Sequence, residues 1–512
     1  MRAPVSMTES VSVRSRSLTS YLLLGGLVAA LAAGTYIFWI HNYLVADSWT
    51  VIEAVSNPSF TPADLLPFQA HPLKTSATFY YAPVLTALVW TAYKLGGYSP
   101  ERYNLILMML HVGTSLFLFS AVLQLTGSKL KATSAGAIFA VHFGATEAVG
   151  WFGAVTHPMT GFFGSMALAL YCRYLTTRRR RWMIGALAAL VAAALTQSTG
   201  LPWFAVIGLL DIFYSRRRED LRRISRRLAL LALLVVAILP LQLQAFRFSE
   251  GGYHYTIGPW VALNLFYYPL STVVPSLEQS AYSLARDLLL APVDRSAFVR
   301  LVSMREAFGL LLASGLVVAV SILMWTKGGW ICRFALLSFA LSMTPFLLLD
   351  GQGYRYLYTP LIFFSIAAAS ALVDLYRHLR LSSRAAALAV IGIIPLFVVL
   401  SFAESQRQLF WWNQAGLVAQ NSLMQLKQLD PTFPPGAKLV FGGLPDTIPN
   451  TNAEVWRQGI TEAVRVVYGD RTLRIEAYSK GTVEQLFQGE LKGAPNTYGF
   501  VWEDWHLKQI AP

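Results

Sequence analysis

The chain has 512 residues, a mean hydropathy of +0.48, 55% hydrophobic residues and only 13% charged residues. A soluble domain of this size needs more polar surface, so the composition excludes one and points to a polytopic membrane protein. The net charge of +14 gathers in short basic runs, RRRR at 178–181 and SRRREDLRRISRR at 215–227, each flanked by apolar segments. That placement argues against a nucleic-acid surface and fits the positive-inside rule, in which Lys and Arg hold loops on the cytoplasmic face.

The basic N-terminal stretch MRAPVSMTESVSVRSRS leads into an apolar run at 18–40, read as an uncleaved first span rather than a signal peptide. The polar segment 41–78 follows, and it carries an early acid, Asp47, seven residues past position 40. A carboxylate so close to a membrane exit lies at the depth of a lipid head group.

Apolar runs of spanning character continue at 103–125, 131–150, 157–175, 183–197, 199–214, 228–246, 306–326, 332–349, 355–374 and 385–403. Two others, 79–95 and 259–274, are ambiguous by length. The basic stretches GSKLK at 127–131, TKGGWICR at 326–333 and YRHLRLSSR at 376–384 join the N-terminus and the two runs above on one face. An even number of spans must separate each neighbouring pair. Segments 79–95 and 259–274 are therefore expected to lie in the outer interface, with Pro83, Pro259 and Pro269 breaking them. The expectation is mainly α, with eleven spans, the N-terminus cytoplasmic, outer loops at 41–102 and 247–305, and the C-terminus outside the cytoplasm. Cys172 and Cys332 lie next to cytoplasmic loops, where no disulfide is expected. The membrane module is set at 1–404.

After Phe402 the character changes. Residues 404–429 read as a helix leaving the membrane, DPTFPPGA as a turn-rich link, AKLVFGGLP as a strand and AEVWRQGITEAVRVVYG as a helix. TLRIEAYS and YGFVWEDW read as further strands. The expected domain, 405–512, is a small extracytoplasmic α/β unit without a metal motif, a phosphate loop or a nucleophile signature.

Three segments resemble the GT-C superfamily of membrane glycosyltransferases, most closely bacterial relatives of the dolichyl-phosphate-mannose-dependent protein mannosyltransferases. They are YYAPVLTALVWTAYKLGGYSPERYNLILMMLH at 80–111, GSKLKATSAGAIFAVHFGATEAVGWFGAV at 127–155 and GQGYRYLYTP at 351–360. The order and spacing of the pieces carry the resemblance. It implies an enzyme of the cytoplasmic membrane that takes a sugar from a polyprenyl-phosphate carrier on the outer leaflet. The acceptor would be a protein, a lipid or a cell-envelope glycan. The first-loop acid of such enzymes usually stands in an Asp-Asp or Asp-Glu pair; here the pair is Ala46-Asp47. Ala82 stands where Arg is frequent, and Gln197 and Ser198 where Lys-Glu is common. A transporter or flippase of lipid-linked sugars, and an inactive family member serving as a scaffold, are the alternatives.

Within that resemblance Asp47 is the candidate base, or the partner of positive charge at the sugar; its other readings are a solvated loop acid or a helix N-cap. Glu147, at the outer end of the third span, would face Asp47 across the cavity. Glu147 and His142 could hold a divalent ion, Mg or Mn, between carboxylate and imidazole. His71 and Lys74, in HPLK, match an element that lines the donor pocket in related enzymes. Arg355 lies against the charge trend and suits a lipid phosphate, or else a salt bridge to Asp350. Tyr356 adjoins it, and His157 starts the next span. Trp411 and Trp412 read as an interface belt, and Tyr253, His254 and Tyr255 as part of a lid.

Overall fold

The structure, a computed structural model, describes residues 7–65, 81–215, 221–246, 257–275, 305–349, 353–380 and 382–511. His71, Lys74, Asp350 and the triplet Tyr253, His254 and Tyr255 lie outside the described residues.

Long apolar helices form the body of the molecule, and a small sheet domain follows them. Seven described helices are long and apolar enough to cross a membrane: Thr19–Trp39, Pro100–Thr126, Ser198–Ser215, Leu221–Leu243, Trp330–Leu347, Tyr354–Leu379 and Arg384–Leu429. The chain is a multi-pass membrane protein. The count of eleven does not follow from the helices alone. The expected span 131–150 is a helix only over Lys129–Ala140, 12 residues. That is about 18 Å, short of the ~30 Å hydrocarbon core. Beyond Ala140 the chain turns through a 3-10 segment, Phe143–Ala145, into the short helix Thr146–Gly150, which carries Glu147. Thr156–Thr177 is long enough but is diluted by Thr156, His157, Thr160 and Gly161, all on its buried face. The two ambiguous runs are helices Pro83–Gly96 and Pro259–Ser271, each opened by a proline at a position whose N–H needs no partner. At 14 and 13 residues both are too short to span, as the charge pattern requires.

Small residues let these helices approach closely. A Cβ added at Gly164 would sit 1.9 Å from the Trp203 ring, and one at Gly113 would sit 2.4 Å from Phe162. His111 is buried in this packing. Its ring nitrogens lie 3.0 Å from the Ala140 carbonyl and 3.0 Å from the Tyr358 hydroxyl. It is a satisfied core histidine.

The last helix, Arg384–Leu429, runs 46 residues without interruption, its N-terminus capped by Ser383. At about 69 Å it extends well past a bilayer core, and position 405 falls inside it. The sheet domain proper has strands β1 (Lys438–Gly442), β2 (Arg474–Tyr478), β3 (Thr497–Glu503) and β4 (His506–Ala511), in the order β2-β1-β3-β4. β1 runs parallel to β2 and β3, and β4 is antiparallel to β3. Stacked Phe441 and Phe500, with ring centroids 5.4 Å apart, anchor its core. Helix Lys480–Gln488 and β4 are additions to the sequence reading. The helix expected from 453 begins only at Ile460, and the residues before it dock on the first outer loop instead.

Helix Ile460–Tyr468 also lies on that loop, against helix Ser48–Ser56. Arg471 reaches the buried Glu53 at 2.7 Å.

Candidate active site

The first span delivers the chain to residues 40–48, which neighbours clamp from several sides. The Asn104 side chain donates to the carbonyls of Ile40 and Asn42, at 3.0 and 2.7 Å. Asn413, on the last helix, donates to Asn42 Oδ1 at 2.7 Å. The Trp151 indole donates to the Val45 carbonyl at 3.3 Å, and the Gly153 amide to Ser48 Oγ at 3.1 Å. From the sheet domain, the Val455 carbonyl accepts the Ala46 N–H at 3.0 Å. Ala46 is held at φ +46°, a conformation non-glycine residues rarely adopt and one that the contacts on both sides must maintain.

Asp47 stands at the end of this clamp. It directly precedes helix Ser48–Ser56, yet its carboxylate makes no capping bond. One oxygen, Oδ1, is buried with no hydrogen-bond partner among the described residues. Asp47 is therefore neither a solvated loop acid nor a working cap. Burial pushes its carboxyl above the usual aspartate range, against the pull of the Arg355 and Arg457 guanidiniums.

Glu147 and Arg355 form an ion pair. The second Glu147 oxygen accepts the Tyr354 N–H at 2.8 Å, which tethers helix Thr146–Gly150 to the 3-10 turn Tyr354–Leu357. Among the described residues the acid beside Arg355 is thus Glu147. The absence of a side chain at Gly353 leaves room for the pair: a Cβ there would lie 2.8 Å from Arg355 Nη1 and 3.1 Å from Glu147 Oε1. The guanidinium lies over the rings of Trp151 and Tyr356, at 5.2 and 4.7 Å, and donates to the Tyr356 hydroxyl at 3.2 Å.

Tyr356 stacks on Phe346 at 4.8 Å, and His157 meets its edge at 5.5 Å. Arg355, Tyr356 and His157 are therefore brought together. Trp412 is not part of an exposed belt. It is buried and stacks on Trp151 at 5.5 Å, so it supports the ring that supports Arg355. His142 is placed elsewhere. Its ring packs among Phe143, Phe364 and Phe397, and its Nδ1 accepts the Gly144 N–H at 3.1 Å.

Two further charged residues come from the sheet domain. Glu454 has a side chain only 13% exposed and pairs with Arg457 at 3.4 Å. Both precede the helix at Ile460, in the stretch whose pattern reads as helical. Burial pushes the Glu454 carboxyl up to about 7, reinforced by the negative charges of Asp47 and Glu147 and opposed by Arg355 and Arg457. Glu454 thus shares one electrostatic cluster with the three residues singled out from the sequence. Nothing in the local sequence marks it; only the docking of residues 453–459 onto the first loop brings it in.

Among the described residues the cluster offers no ready seat for a divalent cation. Glu147 is engaged by a guanidinium and an amide, and His142 faces aromatic rings. Among the described residues no three acidic, His or Cys side chains converge on one point.

No family model matches the chain. A sequence match links it to the protein O-mannosyl-transferase Tmtc1 of Drosophila melanogaster, 29% identical over 128 residues. The match covers 25% of this chain and spans about 15% of the length of that relative. Among solved structures, the oligosaccharyltransferase of Archaeoglobus fulgidus in complex with Zn and sulfate is 14% identical, with a TM-score of 0.47 over 93% of this chain and 67% of that one. ArnT from Cupriavidus metallidurans bound to undecaprenyl phosphate is 16% identical, with a TM-score of 0.41 over 96% of this chain and 97% of that one.

Proposed function

We propose that the chain is a GT-C-type glycosyltransferase that takes a sugar from a polyprenyl-phosphate donor at the outer membrane face. The acceptor would be a hydroxyl of a protein, lipid or envelope glycan. The observation that carries this reading is the state of Asp47: a clamped, half-buried carboxylate, one oxygen of which has no hydrogen-bond partner among the described residues, just past the first span and within the field of Arg355. Transfer breaks the bond between the sugar and the phosphate, and the sugar becomes cationic in passing. A fixed carboxylate stabilises that cation, because a dry site strengthens the attraction and no solvent need reorganise.

Arg355 would grip the donor phosphate by its planar fork. Glu147 and the Tyr354 amide hold the 3-10 turn that aims it, and the Trp151 and Tyr356 rings fix its plane. Lys74 and His71 would complete the donor pocket. The test is transfer by the purified protein in lipid nanodiscs, with radiolabelled polyprenyl-phosphate sugars and a mixed acceptor extract. Labelled acceptor and free polyprenyl phosphate are expected. Movement of intact donor across vesicles without cleavage would favour a flippase instead.

A further inference from the structure

We propose that Glu454, carried by the sheet domain, is the base that removes the acceptor proton, so that the catalytic cleft is complete only when this domain is docked. The inference rests on the transferase reading and divides its chemistry between two acids.

The geometry begins with the backbone. Residues 454–459 lie against the loop that presents Asp47. The Val455 carbonyl takes the Ala46 N–H, and Gly459 approaches so closely that a Cβ would stand 2.2 Å from the Ala46 carbonyl oxygen. On the far side the buried Trp456 donates to Ser422 of the last helix at 2.9 Å. A backbone bridge between Thr447 and Glu454 fixes the third side. The main chain at Glu454 is therefore fixed beside the loop that carries Asp47, and its half-buried side chain reaches Arg457 at 3.4 Å.

The surrounding charges then separate the two acids. The negative charges of Asp47 and Glu147 act on Glu454, and the positive charges of Arg355 and Arg457 oppose them. Glu147 is occupied by Arg355 and the Tyr354 amide. Arg457, largely exposed, leaves Glu454 a longer contact of 3.4 Å. A carboxyl that titrates near 7 can take up a proton and release it at neutral pH, which a base requires. Asp47, within the field of the Arg355 and Arg457 guanidiniums, is left to balance charge at the sugar.

In the transfer step the acceptor O–H proton moves to a Glu454 oxygen. The acceptor oxygen forms the new bond to the anomeric carbon. The bond from that carbon to the phosphate oxygen breaks, and the electron pair leaves with polyprenyl phosphate. Glu454 then releases its proton to water.

The test compares the pH dependence of kcat/KM for wild type, Glu454→Gln and Glu454→Asp in nanodiscs, with binding of undecaprenyl phosphate measured in parallel. Wild type should lose activity on acidification through about 7. Glu454→Gln should lose ~10²–10⁴-fold in kcat, lose that acid limb, keep wild-type binding of undecaprenyl phosphate and still melt as a folded protein. Glu454→Asp should restore part of kcat. If wild type transfers and Glu454→Gln keeps both its kcat and its acid limb, Glu454 is not the base and the transferase reading stands. If wild type binds undecaprenyl phosphate yet transfers no sugar, the transferase reading fails and this inference falls with it.

Discussion

The main-chain N–H of Ala46 and the carbonyl of Val455, 3.0 Å apart, join the first outer loop to the C-terminal sheet domain. Residues 409 positions apart thus set one another's place, and the acids beside them, Asp47 and Glu454, come into one field.

Gly459→Ala should loosen the joint. Gly459 sits at φ +88°, where an L side chain costs ~1–3 kcal/mol, and its added Cβ would strike the Ala46 carbonyl oxygen at 2.2 Å. Gly469→Ala is the control: its φ is similar, +68°, but nothing lies within 4 Å. Thermal unfolding and limited proteolysis should show a released sheet domain in the first variant. The second should show only the milder backbone cost.

Arg355→Ala should raise KM for the donor more than it lowers kcat, because a phosphate clamp acts in ground and transition states alike. It also leaves Glu147 charged and buried without its partner, so thermal stability should fall, toward the ~3–5 kcal/mol seen when a buried pair is broken. Adding Glu147→Gln to Arg355→Ala should recover much of the stability and none of the donor affinity. Arg355→Lys should restore affinity only in part, since an ammonium keeps the charge but not the fork. An unchanged donor KM in Arg355→Ala would remove the clamp.

Stability should carry a signature of Glu454. Its carboxyl titrates at about 7 when folded, against 4.5 as an ordinary glutamate. Between those values the folded state binds more protons than the unfolded state, so this group makes stability fall as pH rises. Thermal melts of wild type across pH 4.5 to 7 should show that slope, and Glu454→Gln should flatten it. Equal slopes would mean that Glu454 is solvated.

How far the sequence anticipates this arrangement depends on the kind of signal. Apolar runs mark the long helices because burying backbone in lipid demands them. Where Val141 and His142 break a run, the pattern misplaces a span end, since hydropathy does not register a turn buried among other helices. Asp47, Glu147, Arg355, Tyr356 and His157 stand out by position and by resemblance. The pairing of Glu147 with Arg355 does not, because it joins elements 208 residues apart. Glu454 is hidden for a similar reason. Its stretch has helical periodicity, and docking onto Ala46 overrides that preference.

Topology has its own test. Cysteines at Ser382, in a basic stretch, and at Gln488, in the sheet domain, would both be exposed, while the native Cys172 and Cys332 are buried. The positive-inside pattern predicts that a membrane-impermeant thiol reagent labels the Gln488 site in spheroplasts and spares the Ser382 site. The opposite labelling would invert the assignment.

The most direct measurement is the transfer rate of Asp47→Asn. Asparagine keeps the size and the hydrogen bonding of the side chain, but it cannot carry negative charge or take a proton. As a helix cap it equals aspartate, so a purely local role predicts no change. If the Asp47 carboxylate balances charge at the sugar, the variant folds, melts like wild type and binds undecaprenyl phosphate, and its sugar transfer falls by ~10²–10³-fold, as when one preorganised electrostatic group is removed. Full transfer by a stable Asp47→Asn protein would contradict that role.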